Sequence, residues 1–360
     1  MKRLIFATQN EGKLKEIKKI LADLKLKILG AKEVGIEKMP KERGRTFEEN
    51  ALKKAIYVAK KTKEWTFADD SGLCIEALGG APGVFSSRWA GENASDEDLI
   101  RYTLEKLKKV PKEKRKAYFK TAIALVSPKK EYWLFKGKIE GYITKKPKGK
   151  IRKNLPYDSI FVPKGEKITF AQMSLSRKNK ISHRAKAILA LKKFIERTNF
   201  LEDIEKGKLF YVICHNLRSA LNVGAIFRTA DGAGVDKLIL GGYTPSPPHP
   251  KIEKTALSSE DSVPFEKKTS TWREIEKLKR KGFEIVALET KKEATIFYKF
   301  KPKFPMALIL GNEISGISPS ILKRADKIIK IPMRGIKKSL NVAVAFGIVA
   351  YHISGFRYQK

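Results

Sequence analysis

The sequence predicts an α/β protein of two domains, and three observations predict it. The chain has 360 residues, 42% of them hydrophobic, which suits two cores of roughly 150–200 residues each. Short apolar runs alternate with helical periodicities in both halves, the pattern of helices laid on a largely parallel sheet. The halves carry unrelated motifs, and the stretch between them, 198–207, has no apolar period and ends at a glycine. The domains are therefore placed at 1–197 and 208–360, with 198–207 as a linker.

In the first half, Leu4–Thr8 reads as a strand, and Leu14, Ile17, Leu21 and Leu24 then recur on one helical face. Thr46–Lys61 reads as a helix, with Thr46 as its cap and Glu49 at capping-box spacing. Ala68-Asp69-Asp70-Ser71-Gly72-Leu73 reads as an apolar approach, two carboxylates and a Ser-Gly turn. Ala117–Leu125 and Tyr132–Lys136 read as strands, Gly137–Lys153 as a hairpin or loop, and His183–Arg197 as a closing helix. The second half restarts with strand Leu209–Cys214, helix Asn222–Ala233, strand Lys237–Leu240 and a proline-rich loop, Tyr243–Pro250. Trp272–Lys281 follows as a helix, with Thr271 and Glu274 as a capping box and Gly282 as the stop. Strands at Glu284–Leu288, Met306–Leu310 and Ile328–Ile331 and a helix at Asn341–Ser354 complete it.

Charge narrows the partners. Lysine and arginine number 76 against 39 acidic residues, a net of +37. Residues 1–200 hold 48 basic and 23 acidic side chains, and 201–360 hold 28 and 16, so the excess is spread along the chain. Such a field favours nucleotides or nucleic acid, or reflects a general lysine bias. No apolar run approaches the ~20 residues of a membrane span. Met1 to Phe6 ends too early for a signal peptide, and Cys74 and Cys214 have neither metal-site nor disulfide spacing. The expected setting is a reducing cytoplasm, with no membrane partner.

Thr8-Gln9-Asn10-Glu11-Gly12-Lys13 joins a strand to a helix start, where backbone N–H groups and an ammonium suit phosphate. Asp69-Asp70 suits a divalent cation or an ordinary turn, and Glu49 serves either the cap or that cation. Ser182-His183-Arg184 opens a helix. Together with Thr46–Ala51, Gly80–Arg88, Tyr157–Phe161 and Lys178, these motifs resemble the inosine-triphosphate pyrophosphatase family, from residue 1 to about 195. The resemblance implies hydrolysis of non-standard purine nucleoside triphosphates (ITP, dITP, XTP) to monophosphate and pyrophosphate with Mg2+. It implies that Asp70 is metal ligand and proton acceptor, with Glu49 assisting the metal. Thr8, Gln9, Asn10, Glu11, Gly12, Lys13 and Ser71 would cradle phosphates. Leu155, Pro156, Tyr157 and Asp158 would line the base pocket, and Lys178, His183 and Arg184 would read base or phosphate. Leu155-Pro156 departs from the family's pattern before Tyr-Asp, and the proline removes a backbone donor.

Three stretches stand out in the second half: His215–Ala230, Ala307–Gly316, and Ile331–Gly335 leading to Ser339–Val342. Two are Gly-, Asn- and Ser-rich exits from strands, where α/β sheets bind ligands. From about Leu209 onward they resemble the SpoU/TrmH family of RNA ribose methyltransferases in the trefoil-knotted SPOUT class. The resemblance implies a homodimer that transfers a methyl group from S-adenosyl-L-methionine to a ribose 2′-hydroxyl of tRNA or rRNA, without metal. Backbone at Gly311, Ile331, Met333 and Leu340 would hold the cofactor. Asn222, Arg228, Glu313, Ser339 and Asn341 would form the catalytic set. Arginine is a poor base, so Arg228 is read as orienting phosphate and hydroxyl. The chain is thus read as a bifunctional enzyme; the alternative is an RNA methyltransferase whose vestigial first domain serves as a basic RNA-binding module.

Overall fold

A computed structural model describes residues 2–196 and 207–358. The chain divides into two compact units, 1–192 and 193–360. The linker expected at 198–207 lies, apart from Gly207, outside the described residues.

The first unit runs β1 (Lys2–Phe6), α1 (Glu11–Ile20), β2 (Leu26–Gly30), α2 (Phe47–Thr62), β3 (Trp65–Ile75), α3 (Asp96–Lys106), β4 (Lys116–Val126), β5 (Tyr132–Ile143), β6 (Phe161–Pro163), α4 (Leu175–Ile181) and α5 (His183–Glu196). Its sheet is ordered β2-β1-β3-β4-β5-β6. Only the β1–β2 and β1–β3 pairs are parallel; β3–β4, β4–β5 and β5–β6 are antiparallel. The sheet of this α/β half is therefore a mixed one. The Ser-Gly turn is also absent: Asp69 to Gly72 lie mid-strand in β3, with Asp70 opposite Ala122, Ser71 opposite Thr121 and Gly72 opposite Lys120. Residues 137–142, read as part of a hairpin or loop, continue β5 against β4.

Helix α2 forms as read. Thr46 accepts from the Glu49 N–H at 3.1 Å, and Phe47, Ala51, Ala55, Val58 and Ala59 form its buried stripe. Asn50 lies on the same buried stripe and is polar, because its amide faces a carboxylate of β3.

The second unit runs β7 (Phe210–His215), α6 (Ala220–Gly232), β8 (Lys237–Gly241), α7 (Pro250–Ala256), α8 (Ser259–Ser262), β9 (Phe265–Lys268), α9 (Thr271–Arg280), β10 (Glu284–Leu288), β11 (Thr295–Ile296), β12 (Met306–Leu310), α10 (Pro319–Leu322), β13 (Lys327–Lys330) and α11 (Val342–Tyr358). The sheet, ordered β11-β13-β10-β12-β7-β8-β9, is parallel throughout. Its central strands β7 and β12 are buried on both faces, which explains their unbroken apolar runs. Gly282 follows the C-cap of α9 as expected, but Thr271 does not cap it. Its hydroxyl is engaged instead by His215 Nδ1 at 2.9 Å.

Candidate active sites

In the first unit a cleft of about 450 Å³ gathers Asn10, Lys13, Asp70, Ser71, Leu155, Pro156, Tyr157, Asp158, Lys178, His183 and Arg184. β3 supplies the two acids at its centre. Asp69 accepts from Lys13 Nζ at 2.9 Å and lies 3.6 Å from Arg184 Nε. Burial pushes its carboxyl up, but Lys13, Arg184 and Lys54 outweigh burial and hold it well below the carboxylate range. Asp70 is the opposite case. Burial, aided by Glu42 and Asp69, pushes it up to about 6 despite Lys54 and the Asn50 amide, which donates at 2.9 Å. Adjacent residues on one strand thus hold one firmly ionised carboxylate and one poised near neutrality.

Sequence reasoning missed Glu42 and Lys54. Lys54 Nζ sits 2.5 Å from Glu42 Oε1 and 4.0 Å from Asp70 Oδ1, so Glu42 and Asp70 share one cation. The structure departs from expectation at Glu49. Its carboxylate accepts from the Arg45 N–H at 2.7 Å, tied into the start of α2, and does not line the cleft. Glu42 is the acid beside Asp70. Thr8, Gln9 and Glu11 are likewise not brought in. They line a separate hollow of about 270 Å³, where Thr8 Oγ1 accepts from the Asn10 N–H at 3.2 Å. Gly12 lines neither.

The far wall is ionic and aromatic. Lys178 donates to Asp158, Tyr157 donates to the Ser86 carbonyl at 2.7 Å, and Ser71 and Thr121 share a hydroxyl hydrogen bond of 2.8 Å. His183 stacks on Phe119 with ring centroids 4.7 Å apart. Burial, with Arg184 and Lys178 beside it, holds His183 well below its usual value, so the ring is neutral at pH 7. Its buried Nδ1 has no hydrogen-bond partner among the described residues.

In the second unit a cleft of about 510 Å³ gathers Gly311, Glu313, Ile331, Met333, Ser339, Leu340 and Asn341. Asn222 does not line it but is bonded to two residues that do. Its Nδ2 donates to Glu313 Oε1 at 2.9 Å, and its Oδ1 accepts from Asn341 Nδ2 at 3.0 Å. Glu313 also accepts from the N–H groups of Arg218 and Ser219 at 2.8 and 3.0 Å. Burial pushes the Glu313 carboxyl up, but these bonds outweigh it and lower it. Arg228 stands apart, exposed on α6 more than one turn beyond Asn222 and outside the cleft. Glu289 was also missed: it lines the cleft and accepts from the Ile317 N–H at 2.8 Å, bracing the loop opposite.

The family model of the Ham1 family matches residues 4–194, more than half of the chain. The chain belongs to the Ham1 family. Residues 209–351 match the SpoU rRNA Methylase family, so a SpoU methylase domain follows the Ham1 domain. The Ham1 domain is 48% identical over 196 residues to a dITP/XTP pyrophosphatase of Caldanaerobacter subterraneus subsp. tengcongensis, covering 54% of this chain and 96% of that one. Against the dITP/XTP pyrophosphatase of Bacillus subtilis it is 44% identical over 196 residues, covering 54% and 98%. The solved Staphylococcus aureus Ham1 protein is 40% identical and superposes with a TM-score of 0.50, covering 54% of this chain and 98% of that one. A HAM1 protein from Coxiella burnetii, also 40% identical, gives a TM-score of 0.51 over 53% and 97%.

Proposed function

We propose that the chain is a bifunctional enzyme. The Ham1 domain hydrolyses non-standard purine nucleoside triphosphates (ITP, dITP, XTP) to monophosphate and pyrophosphate. The SpoU domain methylates ribose 2′-hydroxyls in tRNA or rRNA. The observation that carries the first reading is the Asp69–Asp70 pair, ringed by Lys13, Lys54 and Arg184.

Lys13, Lys54 and Arg184 would hold the triphosphate. Asp70, whose carboxyl is pushed up to about 6, is ionised at pH 7 and still basic enough to accept a proton from the attacking water. The acids fit Mg2+: Asp70 is pushed up partly by Glu42 and Asp69, and the two hard carboxylates of Asp70 and Glu42 would hold the ion. When bound, Mg2+ polarises the phosphoryl oxygen and acidifies the water. Tyr157, the Asp158–Lys178 pair and neutral His183 would meet the base. A 6-oxo purine accepts a hydrogen bond where adenine donates, which favours it in a pocket offering a lysine donor. The test is pyrophosphate release from dITP with magnesium. Release that Asp70→Asn lowers by at least ~100-fold is expected, on the scale of lost acid–base and electrostatic terms. No release from the wild type would leave the domain as a basic RNA-binding module.

In the SpoU domain, Gly311, Ile331, Met333 and Leu340 would hold S-adenosyl-L-methionine in a cleft of ligand size. That cofactor supplies an electrophilic methyl group. Glu313, Asn222 and Asn341 form a bonded row that would orient the acceptor ribose, with Ser339 beside them and Arg228 drawing in backbone phosphate. Saturable heat on titration with S-adenosyl-L-methionine is expected, and a flat titration refutes this reading. Val344, Ile348 and Tyr351 leave an exposed apolar stripe on α11, at the spacing of one helical face, which favours a homodimer. The buried, unpaired Cys74 and Cys214 fit a cytoplasmic enzyme. Among the described residues no helix is long and apolar enough to cross a membrane.

A further inference from the structure

Tyr243 follows β8 and is 61% exposed, yet the loop that carries it is tied down at every side. Its N–H donates to Asn216 Oδ1 at 3.3 Å, and the Asn216 N–H donates to the Gly241 carbonyl at 3.2 Å. Thr244 Oγ1 donates to the Cys214 and Gly241 carbonyls and accepts from the Leu217 N–H at 3.0 Å. Lys267 reaches across to donate to the Gly242 carbonyl at 2.7 Å and to that of Thr244. Gly242 has φ +62°, and a Cβ there would stand 1.8 Å from Asn216 Oδ1 and push aside the amide that holds the Tyr243 N–H, so glycine suits this contact between the two loops.

The ring itself is pinned at its polar end. Asn312 Nδ2 donates to the Tyr243 hydroxyl at 2.9 Å and to the Asn216 carbonyl at 2.8 Å. Asn312 in turn lines the cleft assigned above to the methyl donor. The loops after β7, β8 and β12, three neighbouring strands, are thereby fastened into one platform that displays an aromatic ring beside that cleft. A surface tyrosine without a ligand needs none of this scaffolding.

The geometry points to Tyr243 as a stacking platform for an unpaired RNA base beside the methyl-donor cleft. This rests on the methyl-transfer reading for the nature of the partner. A flat π-face held rigid takes any base without reading its edge, and proteins use such rings on single strands because paired bases are already stacked. The surrounding residues 201–360 carry 28 basic against 16 acidic side chains, a field that suits the RNA backbone. The substrate implied is a loop or other single-stranded segment, with the base next to the methylated ribose turned out onto the ring.

Two measurements on the full chain test this. In Tyr243→Trp, the indole emission above that of wild type (which retains Trp272 nearby in the sequence) is followed during titration with a mixed-sequence single-stranded RNA of 20 nucleotides. Quenching by the single strand, and none by the same strand annealed to its complement, is expected. No quenching, or equal quenching by both, overturns the proposal. In methyl transfer to total RNA, Tyr243→Ala should raise the KM for RNA about tenfold, the scale of one lost stacked base. Its affinity for S-adenosyl-L-methionine should be unchanged, and Tyr243→Phe, which keeps the ring and loses only the Asn312 bond, should restore most of the KM. An active wild type with an Ala variant of unchanged KM overturns the proposal. A wild type that transfers no methyl refutes the methyl-transfer reading, and the indole titration still decides the stacking.

Discussion

Asp70 carries opposite demands in one side chain. Its carboxyl is pushed up to about 6, chiefly by burial and further by Glu42 and Asp69. A carboxyl raised on folding weakens the fold wherever the native state must ionise it. The cost is absent below the unfolded value near 3.9 and full above the folded value near 6. Without metal, Asp70→Asn should therefore stabilise the protein at pH 8 by about 1–3 kcal/mol and by almost nothing at pH 4, while abolishing pyrophosphate release. Urea unfolding of both proteins at the two pH values, in chelator, measures the difference; an equal effect at both would refute the assignment. Residues such as Asp70, Lys13 and Arg184 were legible because each sits in a short motif whose chemistry has few alternatives. Glu42 and Lys54 were not. Glu42 stands in a lysine- and arginine-rich stretch without periodicity, and Lys54 is one of several lysines on α2. Only the fold brings the two to Asp70. Glu49 is the reverse case: capping-box spacing and metal-ligand chemistry use the same residue type, and its carboxylate takes the Arg45 N–H, one residue before the cap.

At the scale of elements, the Asp69–Gly72 stretch shows where local signals lose. Ser-Gly favours turns in isolation, yet β3 pairs with β4 over ten consecutive positions, and that ladder overrides a two-residue preference. Strands such as β4 and β5 were legible from β-branched and aromatic runs; strand direction was not, since β3–β4, β4–β5 and β5–β6 are antiparallel in a sheet whose other two pairs are parallel. The placement of His183 depends on a contact between elements. Gly137 of β5 lies against the first turn of α5, and a Cβ on it would stand 1.9 Å from the His183 carbonyl oxygen and 2.9 Å from the Ala187 nitrogen. Backbone cannot move aside as a flexible side chain can. Gly137→Ala should cost about 1–3 kcal/mol of stability, the usual scale of overpacking, and shift His183 and Arg184 away from the cleft. Thermal unfolding and the KM for dITP read the two effects. A variant with wild-type stability and KM would show that α5 is not positioned by this contact.

At the scale of the molecule, each domain has apolar clusters of its own. Among the described residues, one apolar cluster runs from Phe210 to Ile353 and others run from Ile5 to Met173, each within its own half. Among the described residues each candidate set is perturbed from within its own domain: Asp69 and Asp70 by Lys13, Lys54, Glu42 and Arg184, and Glu313 by bonds from Arg218, Ser219 and Asn222. Packing and electrostatics both decay over distances shorter than a domain, about 10 Å for exposed charges at 0.1 M salt. Changes made within one set should therefore leave the other reaction alone, because substitutions without shared partners act additively. Asp70→Asn should abolish pyrophosphate release and keep methyl transfer within about twofold of wild type. Asn341→Ala removes a donor to Asn222 from the bonded row, and should lower methyl transfer by about 100-fold while sparing dITP hydrolysis. Both activities are assayed on each variant. A drop in methyl transfer caused by Asp70→Asn at saturating S-adenosyl-L-methionine would mean that the Ham1 cleft acts on the second reaction, and that the fusion is a coupled enzyme instead of two independent ones.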